Sequence, residues 1–299
     1  MNALGNRNQL IGLSMAVVGS IAFSGKAIIV KLAYRYGVDA VTLIMYRMLF
    51  ALPMFIAMAW WASRGKAPLS RSDWLGVIGL GFCGYYLASF LDFLGLQYIS
   101  ASLERLILYL NPTIVLIFGA LLFKRKITRT QGIAMLLSYS GVLLVFGHEV
   151  RFDGKDVLLG SGLVFASAVS YAIYLVYSGE MVKRLGSLRL VGLATSVACL
   201  LCIAQFVIMK PMSAAVVTPE VIWLSILNAT LCTAVPVVLV MMAIERIGAG
   251  LAAQTGMIGP MSTIAMGVIF LGEQLNTWII AGTVLVLLGV YWVSRSKAS

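Results

Sequence analysis

Charge is what this chain has least of. Asp, Glu, Lys and Arg make up 11% of its 299 residues, against about 25% in an ordinary soluble domain. Catalytic signatures are equally scarce. The single histidine, His148, falls in a loop, and no H-E-x-x-H, G-x-S-x-G or P-loop pattern occurs. Metal-assisted hydrolysis, a nucleophile elbow and ATP-driven pumping therefore lack their residues here. The four cysteines, Cys83, Cys199, Cys202 and Cys232, all lie in apolar stretches, where a thiol is most often a small apolar side chain. Cys199-Leu-Leu-Cys202 has redox spacing but no βαβ context. No Pro- or Ser-rich linker divides the chain.

Hydrophobic residues, in contrast, reach 61%. They gather into ten stretches at 10–32, 40–62, 73–97, 101–123, 130–147, 157–179, 188–209, 219–244, 249–271 and 277–294. A membrane span takes roughly 20 such residues, and in lipid each must be a helix because no water is available to its backbone. The fold class expected is an all-α membrane protein of ten transmembrane helices, with the lipid bilayer as its principal partner. The first run is longer than a signal h-region and has no clear A-x-A site, so it reads as a retained helix. Of 22 Lys and Arg, Lys26, Arg47 and Arg105 lie inside spans. Lys31, Arg35, Arg151, Lys155 and Lys210 lie on one side, and the other fourteen on the side of both termini. This excess orients the chain with both termini in the cytoplasm. It accounts for the net charge of +11 without a nucleic-acid partner.

The sequence is written twice. At an offset of 148, Gly12 meets Gly160, Ala101 meets Ala249, Leu103 meets Leu251, Pro112 meets Pro260, Gly119 meets Gly267 and Gly141 meets Gly289. Two units, 1–148 and 149–299, follow. Each holds five spans, and because five is odd the second enters the membrane inverted. Inverted repeats around a central cavity are the plan of many secondary transporters. A membrane enzyme or scaffold is the alternative of another class; it predicts a reactive constellation or a large loop, and neither is apparent.

Segments 98–127, YISASLERLILYLNPTIVLIFGALLFKRKI, and 246–275, RIGAGLAAQTGMIGPMSTIAMGVIFLGEQL, resemble the signature helices of the drug/metabolite transporter superfamily. The nearest pattern is the bacterial ten-helix permease with two EamA-type repeats. AIERIGAG at 243–250, FLGEQL at 270–275 and SYAIYLVYSG at 170–179 fit it. Two positions depart from that pattern. The acidic residue after the fourth helix, kept as Glu273 in the second repeat, is Arg125 in the first, and Lys26 stands where the first helix usually carries a small or neutral residue. The resemblance implies an inner-membrane exporter of small metabolites, with amino acids the commonest cargo, as a monomer or homodimer.

Ionisable groups inside spans are costly and functional by default. Lys26, Arg47, Asp92, Glu104 and Arg105 are expected roughly 5–11 Å below the outer surface, all in the first repeat. Snorkelling explains Arg105 and Glu104 equally well, and so does structural pairing of Asp92 with Arg105 or Arg47. The sharper reading is a mixed-sign vestibule suited to a zwitterion. Tyr85, Ser89 and Asp92 share a face of helix 3. Glu104 and Asn111 share one of helix 4, with Arg105 and Tyr109 beside it, and Tyr171 and Tyr174 form a stripe on helix 6. The expected substrate-binding residues are Lys26, Tyr85, Ser89, Asp92, Glu104, Arg105, Tyr109, Asn111, Tyr171 and Tyr174, with Gln254 from the second repeat. Tyrosines beside mixed charges point to aromatic or other hydrophobic amino acids. Exchange of phosphorylated sugars or nucleotide sugars on Lys26, Arg47 and Arg105 is the alternative cargo. No cofactor or metal is expected: Gly79-Leu-Gly81-Phe-Cys-Gly84 matches a dinucleotide spacing, but inside a spanning helix. Gly162, Ala166 and Ser170 form a small-residue series suited to close helix packing, and Pro112 and Pro260 are expected to kink their helices. Reporter fusions at the two ends should place both in the cytoplasm; ends on opposite faces would contradict the odd-span duplication.

Overall fold

The computed structural model describes residues 3–124, 128–153, 155–256 and 258–296. Thirteen α-helices carry the described chain: α1 (Ala3–Tyr34), α2 (Ala40–Ser63), α3 (Arg71–Gly81), α4 (Ala88–Gly95), α5 (Ala101–Leu108), α6 (Asn111–Phe123), α7 (Arg129–Asp153), α8 (Lys155–Leu185), α9 (Ser187–Met209), α10 (Pro219–Ala229), α11 (Val235–Thr255), α12 (Ile258–Met266) and α13 (Thr277–Ser296). Eight continuous helical stretches are long and apolar enough to cross a membrane, and Ile258–Leu271 and Thr277–Trp292 are shorter apolar helices. The protein is a ten-helix membrane protein. Its perimeter, with Leu75, Leu136, Leu143, Leu200 and Ile208 exposed, would be an untenable apolar surface in water and is the natural one in lipid.

Four spans are broken, and the breaks are not where hydrophobic periodicity suggests. Span 3 runs from α3 to α4 through a π-helical turn, Phe82–Leu87, and span 8 from α10 to α11 through another, Thr230–Ala234. These turns begin 148 residues apart, at 82 and 230. Span 4 breaks after Leu108 and resumes at Asn111, with Pro112 in the first turn of α6, where its missing N–H costs nothing. Span 9 breaks likewise between α11 and α12, and Pro260 is the third residue of α12, still in its first turn. The prolines thus start new helical segments rather than kinking continuous ones.

The packing repeats the duplication. α1 lies on α11 and α12, and its counterpart α8 lies on α4 and α6; α2 pairs with α9 and α7 with α13. Exchanging the two halves maps this set of contacts onto itself, which is the signature of inverted repeats. Small residues set the closest approaches. A Cβ on Gly141 would stand 2.5 Å from the Gly282 carbonyl oxygen, and one on Gly192 2.8 Å from the Ala59 nitrogen. The series expected on helix 6 fails in part: nothing lies within 4 Å of Gly162, and it and Ala166 are exposed. Close approach occurs at a neighbouring register instead, where Gly160 meets Tyr98 and Ile99. Ser170 alone of the series reaches across, donating to the Cys83 carbonyl at 2.7 Å.

The side opposite the termini is tied shut across the repeats. The Glu273 carboxylate accepts from the Ala101 amide (2.7 Å), the Ser102 amide (3.3 Å) and the Ser102 hydroxyl (2.6 Å), capping the start of α5, where free N–H groups favour an anion. Arg35 donates to the Leu271 carbonyl at 2.9 Å, and Lys31 to those of Ile99 and Leu96. Asp39 caps α2 through the Val41 and Thr42 amides and pairs with Lys210 at 3.2 Å. Burial raises its carboxyl, but the Thr42 and Lys210 contacts outweigh burial and hold it below the ordinary carboxylate range.

Replacing Gly282 with leucine should force α7 and α13 apart and destabilise the protein by about 1–3 kcal/mol, the usual range for overpacking. Gly162→Leu, into open space, should change stability by less than about 0.5 kcal/mol. Denaturation midpoints in detergent compare the two directly.

Candidate functional site

Between the repeats lies a cavity of about 420 Å³, toward the lower end of the roughly 300–1,000 Å³ typical of small-molecule sites. Its lining runs from Lys26, Asp92 and Arg105 on the far-side half to Val191 and Met241 near the terminal side. Eight pairs of lining residues stand 148 apart: Phe23 and Tyr171, Arg47 and Thr195, Gly84 and Cys232, Tyr85 and Thr233, Ser89 and Val237, Asp92 and Val240, Leu108 and Gly256, Asn111 and Gly259. The hollow sits on the inverted axis, and its charge comes from the first repeat alone. Where the first repeat offers Arg47 and Asp92, the second offers Thr195 and Val240.

The π turns of spans 3 and 8 face this space. A π turn carries one extra residue per turn and is common at functional sites. Here it brings Tyr85 from span 3 and Thr233 from span 8 to the lining. Thr233 donates its hydroxyl to the Asn228 carbonyl at 2.8 Å and accepts from Arg47 Nε at 3.1 Å.

The ionic cluster is built around Lys26. Its ammonium lies 2.5 Å from Asp92 Oδ2 and 3.4 Å from Glu104 Oε1. Both carboxylates are buried, at 2% and 0% exposure. Asp92 therefore pairs with Lys26, not with Arg105 or Arg47 as the spacing suggested. Glu104 does not snorkel: it stands behind Lys26 and outside the lining. Arg105 is held by protein groups, its Nε donating to the Thr263 hydroxyl at 2.9 Å and a terminal nitrogen to the Phe23 carbonyl at 3.0 Å. Arg47, 7% exposed, has its guanidinium 5.1 Å from the centre of the Phe93 ring, and its Nη1 has no hydrogen-bond partner.

The tyrosines divide. Tyr85, Tyr109 and Tyr171 line the cavity. Tyr109 donates to the Gly256 carbonyl at 2.8 Å, spanning the break in each repeat's signature helix. Tyr174 lies behind the wall, 5% exposed. Its hydroxyl is 3.1 Å from that of Tyr85, its ring stacks 5.5 Å from Tyr171, and a Cβ on Gly84 would meet it at 2.4 Å. Gly81 and Gly84 of the apparent dinucleotide pattern are thus packing contacts. Ser89 and Asn111 line the cavity, and Asn111 Nδ2 donates to the Leu108 carbonyl at 2.8 Å. The Gln254 side chain lies outside the described residues.

Of the expected residues, eight face the cavity and Glu104 and Tyr174 back it. Sequence reasoning weighed Arg47 as a binding residue only for phosphorylated cargo and passed over Thr195, Thr233, Phe23 and Ser24, all of which line the cavity. Applying the offset of 148 to Tyr171, Arg47 and Tyr85 picks out Phe23, Thr195 and Thr233 directly.

Comparison with known proteins adds the following. The EamA-like transporter family matches residues 10–147 and again 158–295, and the two matches start 148 residues apart. The uncharacterized transporter YcbK of Bacillus subtilis is 31% identical over 281 residues, covering 90% of this chain and 88% of its own. An uncharacterized transporter of Archaeoglobus fulgidus is 23% identical, covering 96% and 97%. A solved crystal structure described only as that of a protein aligns with a TM-score of 0.63 at 17% identity, over 96% of this chain and 98% of that one. That likeness concerns the fold alone.

Lys26→Met should cost about 3–5 kcal/mol, because it strands two buried carboxylates without their cation. Asp92→Asn keeps the Lys26–Glu104 pair and should cost less. Thermal unfolding in detergent gives the order, and the reverse order would contradict Lys26 as the centre of the cluster.

Proposed function

This chain belongs to the EamA-like transporter family, and on that premise we propose that it exports small metabolites, foremost amino acids with aromatic or other hydrophobic side chains. It sits in a bacterial inner membrane with both termini cytoplasmic, as a monomer or homodimer, and opens the central cavity to each side in turn. The observation that carries the reading is the cavity's division of labour. Tyr85, Tyr109 and Tyr171 offer aromatic surface beside Lys26, Arg47, Asp92 and Arg105. Aromatic pairs add about 0.5–1.5 kcal/mol beyond simple burial, and charges of both signs match a zwitterion. With the termini inside, the far-side ties close the external end while the lining reaches toward the cytoplasmic end, the arrangement in which an exporter loads.

Exchange of phosphorylated or nucleotide sugars fits less well. Such cargo needs several cations free to face it, and Lys26 is engaged by Asp92 and Glu104 while Arg105 is engaged by Thr263 and Phe23.

Purified protein in liposomes should release preloaded phenylalanine or tryptophan faster than protein-free vesicles. Replacing Tyr85 or Tyr171 with alanine should slow that release several-fold, as the loss of one ring contact predicts. Release equal to that of empty vesicles would remove the amino-acid assignment and leave the family membership standing.

A further inference from the structure

Five ionisable groups surround the far-side end of the cavity; the Glu104 oxygens lack a hydrogen-bond partner but pair ionically with Lys26 and lie outside the lining. Lys26 has two carboxylates, and each carboxylate has Lys26. Arg105 has a hydroxyl and a carbonyl. Arg47 is left short. It lies two turns into α2, nearly buried and lining the cavity. Thr233 takes Nε and the Phe93 face takes part of the cation. Nη1 is buried without a partner, and no ion pair to Arg47 is found among the described residues. A guanidinium carries five donors in a planar fork and cannot shed its charge. A buried charge left unpaired is expensive, so the site is incomplete as it stands. Counted together, three cations and two carboxylates leave one positive charge over. The fork matches a carboxylate in two-pronged fashion. On the opposite sign, Asp92 Oδ1 is also buried without a hydrogen-bond partner, while its other oxygen holds Lys26.

We propose that Arg47 is the anchor for the carboxylate of the cargo, and that the free oxygen of Asp92 receives its ammonium. A zwitterion seated this way leaves the net charge as it is but gives Arg47 an anionic partner, satisfies the two orphaned groups of the lining and directs its side chain away from them toward Tyr85 and Tyr171. Arg47 then sets specificity: ligands without an anionic group lose their hold at the far-side end. The assignment rests on the cavity being the cargo site. It deepens the amino-acid reading by naming the groups that read each end of the molecule.

The test uses the full chain in detergent and four ligands measured by equilibrium binding: phenylalanine, 3-phenylpropionate, which lacks the ammonium, 2-phenylethylamine, which lacks the carboxylate, and glucose 6-phosphate. Arg47→Gln should weaken phenylalanine and 3-phenylpropionate by about 10- to 100-fold, the scale of losing a hydrogen bond to a charged group. It should leave 2-phenylethylamine within about twofold on the same scale, which also shows that the variant is folded. Arg47→Lys keeps the charge without the fork and should fall between; it carries the test alone if the glutamine variant does not fold. Asp92→Asn should show the mirror pattern, losing the amine and sparing 3-phenylpropionate. Carboxylate binding unaffected by either Arg47 substitution overturns the anchor while leaving amino-acid export standing. Glucose 6-phosphate binding that depends on Arg47, with no binding of phenylalanine, keeps the anchor and overturns the amino-acid reading. A wild-type protein that binds none of the three anions overturns both.

Discussion

Inside a hydrocarbon layer, a polar group without a protein partner costs several kcal/mol, and much of this structure follows from how that demand is met. Backbone groups meet it by forming helices. Side chains meet it by turning inward, so the ionic groups of the spans converge on one place while the perimeter stays apolar. Lys26 between Asp92 and Glu104 is the centre of that arrangement. Around it the Ser24, Thr233 and Thr263 hydroxyls bond across segments or to their own helices. The Ser24 bond joins α1 to α12, and the bonds Thr233 and Thr263 accept from Arg47 and Arg105 tie α2 and α5 to the same polar hollow.

Duplication supplied a symmetric frame, and divergence made its contents unequal. The π turns of spans 3 and 8, the broken signature helices and the pairings of α2 with α9 and α7 with α13 respect the inverted axis, whereas the π turn at Gly267–Leu271 has no counterpart in α6. The chemistry does not respect that axis. Lys26 corresponds to Tyr174, Arg47 to Thr195, Asp92 to Val240 and Glu104 to Ala252, so the charge comes from one repeat alone, while aromatic side chains from both repeats, Tyr85 and Tyr109 from the first and Tyr171 from the second, share the lining.

Much of this was legible in the residues. Length and hydropathy gave the ten spans, and the offset of 148 gave the repeats, because both are periodic signals that survive divergence. Eight of the cavity-lining side chains could be named from charge depth and helical spacing. What escaped was set by tertiary detail. Thr233 carries no charge to mark it by depth, and only the offset of 148, carried from Tyr85, points to it. The partner of Asp92 depended on where α1 lies, which spacing along one helix cannot say. The small-residue stripe on helix 6 was read one register away from the contact made by Gly160. Arg47 was weighed for its charge, but its shortage of partners shows only once Lys26 and Arg105 have been assigned theirs.

The cap that Glu273 places on α5 is a feature of one end only. Opening the far side hands three hydrogen bonds to water and uncovers a helix terminus whose partial positive charge the carboxylate had balanced. The equivalent position in the first repeat is Arg125, a side chain with no lone pairs to offer any helix start. Whatever fastens the opposite end must do so by other means. The symmetry of the duplicated frame therefore does not extend to the contacts that would have to part at each end.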